Sequence, residues 1–258
     1  MNKSVCWRWV ARVDAWDRKW IQRINGHPGT ILTKFFHFFS FLGRETIWLI
    51  LTEAFLFIYY IPKIYALLGL NLLYGIGIVY VLKRLTMRPR PWLDLPTLRV
   101  LDGPNSSHSF PSWHTFQFVA FSCSLAYLAN SYIVLTIGLM MSVLLAYSRI
   151  YLGVHYPTDV IGGYLSGFAG FAFSLLTTPY MEHLLAFFES LSPFPIIHGL
   201  NYLFNFWWYY PIVGIVFGFL IFTALYRRLK RKDYANWDEN KVKLVFTPQN
   251  KRLPVINQ

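Results

Sequence analysis

The chain has 258 residues, of which 55% are hydrophobic and 14% charged, whereas a soluble domain carries about a quarter charged. Aromatics reach 19% and the net charge is +12. This balance points to lipid as the solvent. It argues against a nucleic-acid groove, because the basic residues border apolar spans instead of interleaving with aromatics.

In chain order, residues 1–44 read as a basic amphipathic interfacial segment. Val5, Trp9, Val13, Trp16, Trp20 and Ile24 recur at helical spacing with Arg8, Arg12, Lys19 and Arg23 between them, the pattern of a helix lying in the membrane surface. The first twenty residues lack an uncharged run followed by small residues, so no cleavable signal is expected. Residues 33–45, TKFFHFFSFLGRE, are too short and broken to span and suit an interfacial or re-entrant piece.

Crossing the hydrocarbon takes about 20 apolar residues. Five such spans, 45–62, 64–82, 111–129, 131–150 and 157–177, form a predicted core over 45–177. A short helix or loop connection follows over 178–206, then a sixth span at 207–226 and a basic polar tail at 227–258. The expected fold is all-α, a polytopic membrane helix bundle with about six transmembrane helices. Gly163, Gly167 and Gly170 are small residues suited to close helix packing. Glu53, inside the first span, needs a partner such as Asn71, a proton or a polar cavity. Cys123 lies within an apolar run and reads as a small hydrophobe, and with only Cys6 beside it no disulfide framework is expected.

Polar groups stand at the span ends. The second span closes on Lys83 and Arg90, the third opens on Pro111, Ser112, Trp113 and His114, and the fourth closes on Ser148 and Arg149. His155 and Asp159 lead into the fifth. Counting crossings, with a tight turn near Asn130, puts all of them on one face of the membrane. Lys83, Arg90 and Arg149 face no nearby acid except Asp159, and such an excess suits an anion; Arg forks match phosphate oxygens. Pro111 is placed as the first helical residue, leaving the following N–H groups to face the same anion. Two histidines offer a nucleophile and a leaving-group acid. Asp159, four residues after His155, can accept from the second imidazole nitrogen and fix the tautomer.

Three motifs, Lys83-x6-Arg90-Pro91, Pro111-Ser112-x-His114 and Ser148-Arg149-x5-His155-x3-Asp159, resemble the signatures of the type-2 phosphatidic acid phosphatase and haloperoxidase superfamily. The resemblance covers roughly residues 45 to 177. It implies a metal-independent phosphatase without a cofactor, with a phosphohistidine on His155 and His114 protonating the leaving oxygen. Lys83, Arg90, Ser112 and Arg149 would hold the phosphoryl group, together with the backbone N–H of Trp113. The family usually has glycine at that position, so the indole bears on substrate preference.

The expected substrate is a membrane lipid phosphate or diphosphate of the phosphatidic acid, phosphatidylglycerol phosphate, polyprenyl diphosphate or lipid A class. Two alternatives stay open: a lipid phosphotransferase using the same intermediate, and a non-catalytic lipid-phosphate binding or transport protein. A vanadium-dependent oxidation ranks last. Expected partners are the lipid phosphate and membrane lipids, without nucleic acid and with no obligatory protein partner inferred. The expected location is a bacterial inner membrane. With six spans, all of the 24 Lys and Arg residues except Lys63 share the face of the motifs. The positive-inside rule then places the site in the cytoplasm, with the periplasm, favoured by bacterial members of the family, as the alternative.

Overall fold

The computed structural model describes residues 3–26, 29–57, 59–102 and 107–191, together with 199, 200 and 218. It is mostly helical: α1 (Lys3–Asn25), α2 (Thr30–Leu42), α3 (Glu45–Phe57), α4 (Pro62–Thr86), α5 (Pro91–Asp94), α6 (Trp113–Leu128), α7 (Tyr132–Tyr151) and α8 (Pro157–Ser190). Two-residue strands β1 (Tyr59–Tyr60) and β2 (Gly199–Leu200) pair antiparallel.

Helix α6 is the axis of the bundle. It is apolar around its whole circumference, and from Thr115 to Ser124 every side chain is buried, as expected for a helix surrounded on all sides. Helices α3, α4, α7 and α8 pack around it. The outer faces of α4, α7 and α8 expose Leu73, Val81, Ile133, Met140, Leu165 and Leu176, an apolar exterior matched to lipid.

Among the described residues, three stretches are long and apolar enough to cross a membrane: Pro62–Asp94, Tyr132–Tyr151 and Pro157–Ser190. They correspond to the second, fourth and fifth expected spans. The first and third correspond to shorter helices, α3 with 13 residues and α6 with 16. The sixth, 207–226, and the tail fall outside the described residues, apart from Gly218. Helix α8 does not stop at Thr177. It runs through Pro179 to Ser190, 34 residues in all or about 51 Å at 1.5 Å per residue, so residues 178–190 continue α8 while Gly199 and Leu200 form β2.

The N-terminal segment is two helices tied to the core. Val13, Trp16 and Trp20 lie on the exposed side of α1, as a surface helix requires. The adjoining face is not free: Asp17, Ile21 and Asn25, spaced by four, are buried. Ile21 joins Leu95, Ala146, Ile150, Tyr156 and Val160 in a core cluster. Helix α2 packs on α7 through Phe36, whose ring lies 4.7 Å from that of Tyr151. Asn71 donates to Ser124 Oγ at 2.5 Å, so the intramembrane amide serves α6 and not Glu53. Cys123 is a buried free thiol.

Lipid tails are as apolar as leucine, so helices in a bilayer associate through close contact at small residues. Helix α8 does this against α6. A Cβ at Gly163 would stand 2.8 Å from the Ser112 carbonyl oxygen, and one at Gly167 would stand 2.9 Å from that of Phe116. Both obstacles are backbone and cannot swing away. Gly163→Ala should therefore cost about 1–3 kcal/mol of overpacking, read as a lower unfolding midpoint in detergent. Gly77→Ala, where the added carbon meets nothing within 4 Å, should hold or slightly raise the midpoint, because alanine suits a helix better than glycine. Equal midpoints for the two variants would refute the contact.

Candidate functional site

The ends of α4 and α7 and the beginnings of α6 and α8 converge, as the crossing count requires. The turn from α7 into α8 delivers the central histidine. Leu152 caps α7, and the chain reverses at Gly153, whose φ of +75° is left-handed. Gly153 N–H donates to the Ile150 carbonyl at 3.0 Å and Val154 N–H to the Arg149 carbonyl at 3.2 Å, which is the Schellman arrangement. A Cβ at Gly153 would also meet the Arg99 carbonyl oxygen at 2.7 Å, so glycine is required on both counts. His155 N–H then bonds the Arg149 carbonyl at 3.3 Å, fixing the histidine beside the arginine six residues earlier.

Helix α8 begins immediately after, with Tyr156 as N-cap, Pro157 at its first position and Asp159 in its first turn. The Asp159 carboxylate accepts from Tyr156 N–H at 2.8 Å, half of a capping box. It is fully buried. The same Oδ2 accepts from the Ser109 hydroxyl and faces His155 Nδ1 at 3.4 Å, an electrostatic contact longer than a formed hydrogen bond. Its Oδ1 accepts from Arg88 Nη1 at 2.8 Å.

On the other side of the ring, Arg90 Nη1 lies 2.9 Å from His155 Nε2. A guanidinium has no acceptor, so Nε2 must be the bare nitrogen and the proton of the neutral ring sits on Nδ1, toward Asp159. Arg90 also donates to the Ser107 and Val154 carbonyls at 2.8 Å and to Ser107 Oγ at 2.9 Å. Burial first, then the charges of Arg90, Arg149 and Lys83, hold the His155 imidazole well below its ordinary value of 6.5, opposed by the Ser109 backbone.

A cavity of about 510 Å³ is lined in part by Arg90 and His155. Its polar end holds Lys83, Arg90, His114, Arg149 and His155 with Glu45 and Ser107, and its apolar wall is Leu49, Leu72, Ile76, Val79 and Tyr80. Trp113 forms part of the lining, its ring stacked on Phe116 at 6.2 Å. Six of the eight expected site residues thus line one space. The other two stand behind it: Asp159 as described, and Ser112 buried under the start of α6, with its N–H given to the Asp159 carbonyl at 2.9 Å and its Oγ receiving Thr115 Oγ1 at 3.1 Å. Pro111 is not the first helical residue; α6 starts at Trp113 with Ser112 as N-cap, and the N–H of Ser112 is spent on α8.

The cations are less solitary than their spacing suggests. Arg149 Nη1 is paired with Asp102 at 2.7 Å and donates to the Ser40 hydroxyl of α2. Lys83 Nζ donates to the His108 carbonyl. Asp159 is paired with Arg88, a residue inside the first motif but not one of its fixed positions. Asp17 of α1 pairs with the same Arg88 at 2.5 Å. Asp102, Ser40 and Asp17 carry no spacing signature, and no signal in the sequence marks them.

The profile of a family described as "PAP2 superfamily" matches residues 64–182. A Sulfolobus acidocaldarius protein named undecaprenyl-diphosphatase is 30% identical over 144 residues, covering 56% of this chain and 69% of that one. The Bacillus subtilis undecaprenyl-diphosphatase BcrC is 29% identical over 130 residues, covering 48% and 64%. Among solved structures, Aquifex aeolicus LpxE has a TM-score of 0.55 at 27% identity, covering 61% of this chain and 93% of that one. A transmembrane PAP2-type phosphatidylglycerolphosphate phosphatase from Bacillus subtilis has a TM-score of 0.52 at 24% identity, covering 71% and 89%, and supports the fold alone.

A lowered imidazole pKa means that the neutral ring persists wherever the pH exceeds that lowered value. At about pH 5.5, one unit below the ordinary value, ¹⁵N NMR of the histidine-labelled protein should find His155 neutral with a bare Nε2. An imidazolium signal for His155 at that pH, or a bare Nδ1, would contradict the geometry.

Proposed function

The chain belongs to the PAP2 superfamily and on that premise is a phosphate-ester hydrolase, and we propose that it removes the terminal phosphate of a membrane lipid diphosphate through a phosphohistidine on His155, without a metal. The observation that carries this reading is the contact of Arg90 Nη1 with His155 Nε2, which leaves that nitrogen without a proton in a buried histidine lining a cavity with three cations and a second histidine.

The steps follow from the positions. The substrate phosphate enters among Lys83, Arg90 and Arg149, and a phosphoryl oxygen takes over the hydrogen bond that Arg90 now gives to Nε2. The freed lone pair of Nε2 bonds to phosphorus as the bond from phosphorus to the bridging oxygen breaks, with His114 giving that oxygen a proton. Asp159 offsets the charge that appears on the imidazole. The three cations stabilise the charge on the equatorial oxygens. Water then attacks phosphorus, the P–N bond breaks, His114 takes the water proton, and inorganic phosphate leaves. The Trp113 backbone N–H supplies a further donor at the start of α6, while Ser112, behind the cavity, ties that start to Asp159.

The apolar wall of Leu49, Leu72, Ile76, Val79 and Tyr80 suits an acyl or prenyl chain that stays in the bilayer while its phosphate reaches the histidine. The two relatives named undecaprenyl-diphosphatase favour a polyprenyl diphosphate. The Trp113 indole occupies cavity wall that a glycine would leave open, and so narrows the space next to the phosphate.

In detergent with EDTA, phosphate release from polyprenyl diphosphate should exceed that from phosphatidic acid, phosphatidylglycerol phosphate and lipid A phosphate. His155→Ala should abolish it in a folded protein, and Asp159→Asn should lower it by orders of magnitude, about 10⁴-fold where a triad carboxylate is neutralised. Trp113→Gly should retain release and level the preference across the four lipids. Near-normal release by His155→Ala, or strict dependence on added metal, would refute the mechanism. Labelled phosphate appearing on an acceptor lipid instead of in solution would make the protein a phosphotransferase.

Six spans, with 207–226 as the last, are part of the same proposal, and the distribution of Lys and Arg then supports a cytoplasmic site. Alkaline phosphatase fused after Gln258 should be silent in a bacterial host. Strong reporter activity would refute this placement.

A further inference from the structure

Helix α1 lies outside the matched residues 64–182, yet it sends a carboxylate to the back of the site. Asp17 is fully buried. Its Oδ2 accepts from Arg88 Nη2 at 2.5 Å and from the Thr158 hydroxyl, and its Oδ1 accepts from Thr158 N–H at 2.9 Å. Arg88 turns its other nitrogen, Nη1, to Asp159 Oδ1 at 2.8 Å and to Thr158 Oγ1 at 2.6 Å. Its guanidinium carbon stands 4.2 Å over the Tyr156 ring. The four groups form one line from α1 to the reacting ring: Asp17, Arg88, Asp159, His155.

The way Arg88 is shared matters. A guanidinium beside a lone carboxylate tends to engage both oxygens with its two-pronged fork. Bidentate pairing of Arg88 with Asp159 would draw in Oδ2, the oxygen that faces His155 Nδ1. Asp17 engages one prong, so only Nη1 reaches Asp159 and Oδ2 stays with the histidine. Asp17 at 2.5 Å also shares with Asp159 at 2.8 Å and Asp14 at 3.9 Å in offsetting the Arg88 charge, close to a ring already facing three cations.

We propose that Asp17 is a positioning residue for the reaction: it holds Arg88 in the bridging geometry that leaves Asp159 Oδ2 to His155. The N-terminal helix is then part of the catalytic apparatus as well as a surface element. This rests on His155 being the nucleophile.

The test uses the full-length protein in detergent. Asp17→Asn keeps the shape and an acceptor for Thr158 N–H but removes the charge. It should lower kcat by about tenfold to a hundredfold, the scale seen when an outer partner of a working histidine is lost, with KM within about twofold because no substrate contact changes. The acid limb of the kcat profile should also move to lower pH. The charged or titratable groups around His155 are Glu45 from α3, Lys83 from α4, Arg90 before α5, His114 from α6, Arg149 from α7 with its partner Asp102, and Asp159 from α8. None of these is altered, so the displacement reports on Arg88. Asp17→Glu should restore part of kcat.

A merely structural role would lower the amount of folded protein without moving the profile. If Asp17→Asn does not fold, Arg88→Ala and Arg88→Ala/Asp17→Asn decide the matter. Equal kcat in those two supports action through Arg88, and a further tenfold loss in the double variant overturns it. Wild-type kcat and profile in Asp17→Asn would also overturn the inference. Wild-type protein that releases no phosphate from any of the four lipids would instead remove the reading on which it rests.

Discussion

A carboxylate with no exposed surface is costly unless every oxygen is answered, and Asp159 meets that condition at a junction of four chain segments. Arg88 answers from the end of α4, Ser109 from the stretch before α6, Tyr156 N–H from the cap of α8, and His155 faces it from the turn after α7. The backbone carbonyl of the same residue receives Ser112 N–H. Removing any of these leaves a buried charge short of a partner. The polar half of the site therefore assembles as a unit, and the position of His155 follows from it.

The apolar half supplies the rigidity. Helix α8 approaches α6 at Gly163 and Gly167, with carbonyl groups of α6 closer than any side chain would permit. This contact carries Asp159, at the start of α8, to Ser112, at the start of α6. The buried thread of α6 then has His114 at its first turn on the cavity and Phe116, Val119 and Phe121 in the core below. A cavity with cations at one end and Leu72, Ile76 and Val79 along its wall is what remains where α3 and α4 meet α6. Its two chemistries match the two parts of a lipid phosphate.

The motif residues were legible because their spacing is local and their topology simple. Alternating crossings put Lys83, Arg90, His114, Arg149 and His155 on one face, and the packing of the helix ends gathers them into one space. The Asp159–His155 relation was legible because four residues across a turn and a helix start keep two side chains adjacent. Asp17, Ser40 and Asp102 were not. Each is a single polar residue in a stretch whose pattern speaks only of surface or loop, and its partner lies 141, 109 or 47 positions away in the hydrogen-bonded pair. Hydropathy found the exposed side of α1 in Val13, Trp16 and Trp20, but the buried row of Asp17, Ile21 and Asn25 is mostly polar and gives no apolar stripe to find. Pro111 misled by two residues because proline suits both the first helical position and the approach to a cap, and here the N-cap is Ser112. The fifth span ends at 177 by hydropathy and length, whereas α8 itself runs on to Ser190.

The central claim is that Arg90 and Asp159 leave Nε2 of His155 as the nucleophilic atom. Labelled lipid diphosphate mixed with the protein, quenched in alkali after a fraction of a turnover, and digested under basic conditions tests this directly, since phosphohistidine survives base. Tandem mass spectrometry and ³¹P NMR of the labelled peptide should find the phosphoryl group on His155 and bonded to Nε2. A phosphoryl group on Nδ1 of His155, on His114, or on no residue of a protein that is turning over would contradict the account.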